Sequence, residues 1–86
     1  MKRVLNERDY NKVITETPNI ISILYYEVLE TRGGKVPRKD SVIKRYKEIV
    51  EKTLGVSFKK LSDYEKHTLL KTAEDCYYGI REAELG

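Results

Sequence analysis

Residues 17–34 read TPNIISILYYEVLETRGG, and the fold turns on how they are read. At ~100° per residue, Ile20, Ile21, Leu24, Tyr25, Val28 and Leu29 share one broad face of a helix. Ile23 and Tyr26 lie on the other side, among Ser22, Glu27 and Glu30. A helix that is apolar on two sides needs a second cover, from its own chain or from a partner. Gly33-Gly34 closes the helix, because glycine readily takes the left-handed conformation that ends one. Thr17-Pro18 reads as its start: proline suits a first turn, where its missing N–H is no loss, and Thr17 then caps. One longer helix kinked at Pro18 is the alternative. The β-branched and aromatic content also permits a strand over Ile20–Tyr26.

Upstream of this stretch, Asn6 is a favoured N-cap, and Glu7 and Asp9 are acids in a first turn. Tyr10, Val13 and Ile14 follow at i, i+3, i+4 spacing. They predict a short N-terminal helix that ends near Thr17-Pro18. Downstream, Lys35–Lys39 is a connector in which Pro37 holds Val36 extended. A third predicted helix runs from near Arg38 to Leu54. Val42, Ile43, Tyr46, Ile49, Val50 and Leu54 form its stripe, and Gly55 is its stop. Val56, Phe58 and Leu61 should tuck into the bundle end. Ser62-Asp63-Tyr64-Glu65 is an S-x-x-E capping box and starts the last helix. Its inward face is Leu69, Leu70, Ala73, Cys76, Tyr77 and Ile80.

The expected fold is all-α: a small antiparallel bundle of three main helices plus a short N-terminal helix, in one domain over residues 1–86. Its core should hold Ile20, Leu24, Val28, Ile43, Tyr46, Ile49, Val50, Leu69, Leu70, Ala73, Cys76, Tyr77 and Ile80. A chain of 86 residues leaves no room for a second independent core.

Composition narrows the class of function. The chain is 40% hydrophobic and 36% charged, with a net charge of +3. That charge is above the roughly 25% of an average protein. Lys and Glu abound and Gln is absent. This bias is the one that ion-pair networks give hyperthermophile proteins, and it points to a heat-loving source. A melting temperature below about 60 °C would overturn that reading. One cysteine makes no internal disulfide and fits a reducing compartment. The first nine residues carry no apolar run after their charges and do not read as a signal peptide. Ile20–Leu29 is too short to span a bilayer. A cytoplasmic location is expected.

No catalytic, metal or cofactor pattern emerges. Cys76 and His67 are the only thiol and the only imidazole. Nine residues apart on one predicted helix, they fall on opposite sides, against a Cys–His nucleophile pair. One His and one Cys cannot build a zinc site without several carboxylates. Gly33-Gly34 lacks the context of a phosphate loop.

Two surfaces remain. Tyr64, His67, Lys71, Tyr78 and Glu82 fall on one strip of the last helix, opposite its core face. Tyrosines among polar groups are typical of interfaces. Ile23 and Tyr26 add a second exposed apolar spot. The leading expectation is therefore a non-catalytic accessory or adaptor protein that binds another protein or itself. The alternative is a nucleic-acid-binding module using the basic connector 35–45 and the Lys59/Lys60 pair. Its contact residues would be Lys35, Arg38, Lys39, Arg45, Lys59 and Lys60; the first four have no obvious acidic partner at helical spacing beyond nearby Asp40, and the last two leave the other end of the third predicted helix. The linker before Ser62 is too long for a helix-turn-helix.

Overall fold

The computed structural model describes residues 5–85. Residues 1–4, on which the leader reading partly rests, and Gly86 lie outside the described residues. Three helices pack together: α1 over Glu7–Thr31, α2 over Lys39–Leu54 and α3 over Asp63–Leu85. A 3-10 turn, Phe58–Lys60, links the last two.

The separate N-terminal helix is overturned. Glu7–Thr31 is one helix of 25 residues, with Pro18 inside it. Thr17 caps nothing. Its hydroxyl donates to the Val13 carbonyl at 2.7 Å and lies 2.9 Å from the Tyr46 hydroxyl of α2. With the Thr17 proton committed to Val13, Tyr46 is the donor in that second bond. An interior proline costs about 3 kcal/mol. Here packing on both sides of it outweighs that cost: Thr17 and Ile21 are completely buried, while the proline itself is exposed. The same stretch excludes the strand over Ile20–Tyr26.

The chain ends its helices where local chemistry directs. The Asn6 side chain accepts the Asp9 N–H at 2.8 Å and starts α1. At the other end, the Gly34 N–H bonds to the Leu29 carbonyl and the Gly33 N–H to the Glu30 carbonyl. Gly33 sits at φ 67°. This is the Schellman arrangement, which only glycine enters without strain. Gly55, at φ 68°, closes α2. Ser62 and Glu65 exchange the two bonds of a capping box: Glu65 N–H to Ser62 Oγ at 3.2 Å, and Ser62 N–H to Glu65 Oε1 at 2.9 Å.

Because α1 is continuous, its buried phase is set over the whole length. Tyr10, Val13, Thr17, Ile21, Leu24 and Val28 step by three and four residues along the covered face, with Tyr25 beside them. On α2 the buried line is Val42, Tyr46 and Val50, and on α3 it is Glu65, Leu69, Ala73 and Tyr77. Leu5, Phe58 and Leu61 plug the bundle end. The expected core is therefore corrected at its margins. Ile20, Ile43, Ile49, Leu70, Cys76 and Ile80 are only partly buried: the first five each sit next to a residue of the buried line, and Ile80, in phase with it, lines the open groove between α1 and α3. Helices α1 and α3 meet start to start, where Leu5 bonds to Glu65, and end to end, where Tyr26 bonds to Glu84.

Candidate interaction surfaces

The tyrosines that decorate α3 occupy different neighbourhoods. Tyr64 is 43% exposed, and its ring stacks on Tyr10 of α1 with centroids 6.4 Å apart. Tyr78 is 42% exposed and sets its edge to Tyr77 at 5.2 Å. Fourteen residues separate them, roughly 21 Å of helix. His67 and Lys71 line a groove between α2 and α3 together with Lys39, Lys47 and Glu74. Lys71 is also within 3.9 Å of Asp75. Tyr64, His67, Lys71 and Tyr78 therefore do not form one compact patch.

Ile23 and Tyr26 stand out from α1 at 53% and 44% exposure. Beside them runs an open groove of about 370 Å³ between α1 and α3. Pro18, Ser22 and Tyr26 form one wall, and Cys76, Gly79, Ile80 and Ala83 the other. The Tyr26 hydroxyl donates to Glu84 Oε1 at 2.7 Å, fixing the ring across the two helices at one end of the groove. That bond favours the protonated phenol and raises its pKa. A Cβ placed on Gly79 would meet nothing within 4 Å. The internal packing of the chain thus gives no reason for a residue that costs about 1 kcal/mol relative to Ala in a helix interior.

Cys76 and His67 are apart. The thiol lies in the α1–α3 groove and the imidazole in the α2–α3 groove. Burial pushes the thiol pKa up, with Asp75 adding to it, so the nucleophilic thiolate is disfavoured. Among the described residues no group of three or more His, Cys, Asp or Glu is placed to hold a metal ion. No helix among them is long and apolar enough to cross a membrane.

Two of the basic connector residues are spoken for. Lys39 Nζ lies 3.1 Å from Glu74 of α3, which stabilises its ammonium form and raises its pKa. Arg45 lies 3.6 Å from Glu27 of α1. Helical spacing could not have revealed these partners, because both pairs join different helices. Lys59 and Lys60 sit in the 3-10 turn, beyond the end of α2 opposite to Lys35 and Arg38. The six cations thus do not converge.

No protein-family model, curated protein or solved structure matches this chain.

Proposed function

We propose that this is a non-catalytic accessory protein that binds another protein through the α1–α3 face. One observation carries the reading: the exposed Tyr26 lines an open, largely apolar groove between α1 and α3 whose far wall sets Ile80 among the smaller Cys76, Gly79 and Ala83, and Ile23 is exposed on the same helix. Isolated exposed apolar residues are ordinary, but a contiguous apolar patch marks a contact site. Small side chains at Ser22, Gly79 and Ala83 let a partner's backbone or side chains approach closely. The separation of Cys76 from His67 speaks against a catalytic pair. We also read the bundle as up-and-down with antiparallel neighbours. The start-to-start pairing of α1 with α3 supports this, since α2 must run back between them.

The test is photo-crosslinking from benzoylphenylalanine in place of the exposed Tyr26, an aromatic for an aromatic, with Lys12 on α1 as the control position. Adducts formed at position 26, absent at Lys12 and lost on Ile23→Asp are the expected result. An adduct with a second copy of the chain would identify self-association. Equal crosslinking at both positions, or none at position 26, sinks the proposal.

A further inference from the structure

The charge of this chain is segregated by helix. Residues 32–60, which are α2 and the loops on either side of it, carry ten Lys or Arg against three Asp or Glu. The rest of the chain carries seven against eleven. A net charge of only +3 hides this division.

Helix α2 turns Val42, Tyr46 and Val50 into the core. At ~100° per residue the opposite arc carries Lys44, Glu48 and Lys52. Both lysines are exposed, as are Lys35 and Arg38 before the helix and Lys59 and Lys60 after it. Among the described residues none of these six cations is in an ion pair. Lys39 and Arg45, by contrast, each face a carboxylate across the seams with α3 and α1. The three acids of the segment interrupt the strip only in part. Glu48 lies between the two lysines and Asp40 is exposed in the first turn, while Glu51 is turned to the loop, where it accepts the Phe58 N–H at 2.6 Å.

We infer that the outward arc of α2, with its two flanking loops, is a docking strip for the phosphate backbone of a nucleic-acid duplex. The argument is charge complementarity over matching length. A helix of 16 residues is about 24 Å long, and a duplex presents one negative charge per ~1.7 Å of axis. Lysine dominates the strip, and its flexible point charge suits phosphate contacts, which carry no sequence information. Asn and Gln, the usual readers of adenine, are missing from residues 32–60. Binding is therefore insensitive to sequence. This surface is separate from the α1–α3 groove, so either proposal can fail alone.

The experiment is fluorescence anisotropy of labelled 20-base-pair DNA duplexes, one A·T-rich and one G·C-rich, titrated with the intact chain across a range of salt. About five phosphate contacts give a slope of log affinity against log salt near −4.5. The two duplexes should agree within about threefold. Lys44→Glu with Lys52→Glu should weaken binding at least tenfold. Arg8→Glu with Lys12→Glu, the same change of charge on α1, should leave it within about twofold. If the α2 variant loses its helical circular dichroism, Lys59→Glu with Lys60→Glu in the exposed turn replaces it, with a loss of at least fivefold expected. Three outcomes overturn the inference: no binding at 50 mM salt, an equal loss in the α1 control, or tight binding to phosphatidylserine-containing vesicles while the duplexes fail to bind.

Discussion

The buried carboxylate of Glu65 accepts the backbone N–H of Leu5 at 2.8 Å, across a sequence separation of 60 residues. Its other oxygen accepts the N–H of Ser62. One side chain thus completes the cap of α3 and pins the segment before α1 to the same end of the bundle. In an ordinary capping box Gln replaces Glu without difficulty. Here both oxygens face N–H donors, and an amide offers only one acceptor. Glu65→Gln should therefore cost about 2 kcal/mol, and Glu65→Ala about 3 kcal/mol. Urea denaturation of both variants checks this. A Gln variant as stable as the parent would show that the bond to Leu5 adds nothing.

The capping box was readable in the sequence because its two partners are three residues apart. The role of Glu65 toward Leu5 was not, because no local pattern encodes a partner so far along the chain. Pro18 shows the same boundary. Thr17-Pro18 is a good helix start by local rules, and what overrides them is the burial of Thr17 against Tyr46 on another helix. The stops at Gly33-Gly34 and Gly55 were legible, since each rests on a glycine's own backbone freedom. On the surface, the exposure of Ile23 and Tyr26 followed from periodicity alone. The groove beside them did not, because half its wall comes from α3.

Tyr46 makes stability depend on alkaline pH. Burial raises its pKa from 10.0 to about 12. The folded state therefore holds the phenol proton more tightly than the unfolded chain does. That stability is fully present below pH 10 and is lost as the pH climbs through about 12. Two pH units correspond to about 3 kcal/mol. Tyr46→Phe should lower stability at pH 7 by about 1 kcal/mol and flatten the decline between pH 10 and 12. Thermal melts at pH 7, 10 and 11.5 measure both effects; an unchanged alkaline slope in the variant would place the titration elsewhere.

Tyr25 should respond in the opposite way. Its hydroxyl is buried and has no hydrogen-bond partner among the described residues. Its ring meanwhile packs against Tyr77 at 5.8 Å and Tyr26 at 5.5 Å. Deleting an unsatisfied polar atom while keeping the ring is neutral or favourable. Tyr25→Phe is expected to leave the melting temperature unchanged or raise it by a few degrees, whereas Tyr46→Phe lowers it. A clear loss in the Tyr25 variant would mean that its hydroxyl is satisfied in solution.

Pro18→Ala restores an N–H to the interior of α1, where Ile14 can accept it. The helix gains up to about 3 kcal/mol, less what the freer unfolded chain recovers. A net gain of about 1–2 kcal/mol should raise the melting temperature, at roughly 4–8 °C per kcal/mol for a domain of this size. A lower melting temperature would show instead that the proline ring, at the wall of the α1–α3 groove, makes packing contacts worth more than the missing bond.

Gly79 separates fold from function on that same groove. Since a Cβ there meets nothing within 4 Å, Gly79→Ala should stabilise the chain by about 1 kcal/mol through helix propensity. Gly79→Phe should fill the groove without disturbing the core and abolish the crosslink formed from position 26. The pair of results distinguishes two reasons for an interior glycine. If the Phe variant folds and still crosslinks, close approach to Gly79 is no part of the contact, and Ile23 and Tyr26 must carry it without the groove. If Ala is stabilising and Phe blocks the adduct, the residue lowers the stability of α3 by about 1 kcal/mol to keep the surface open.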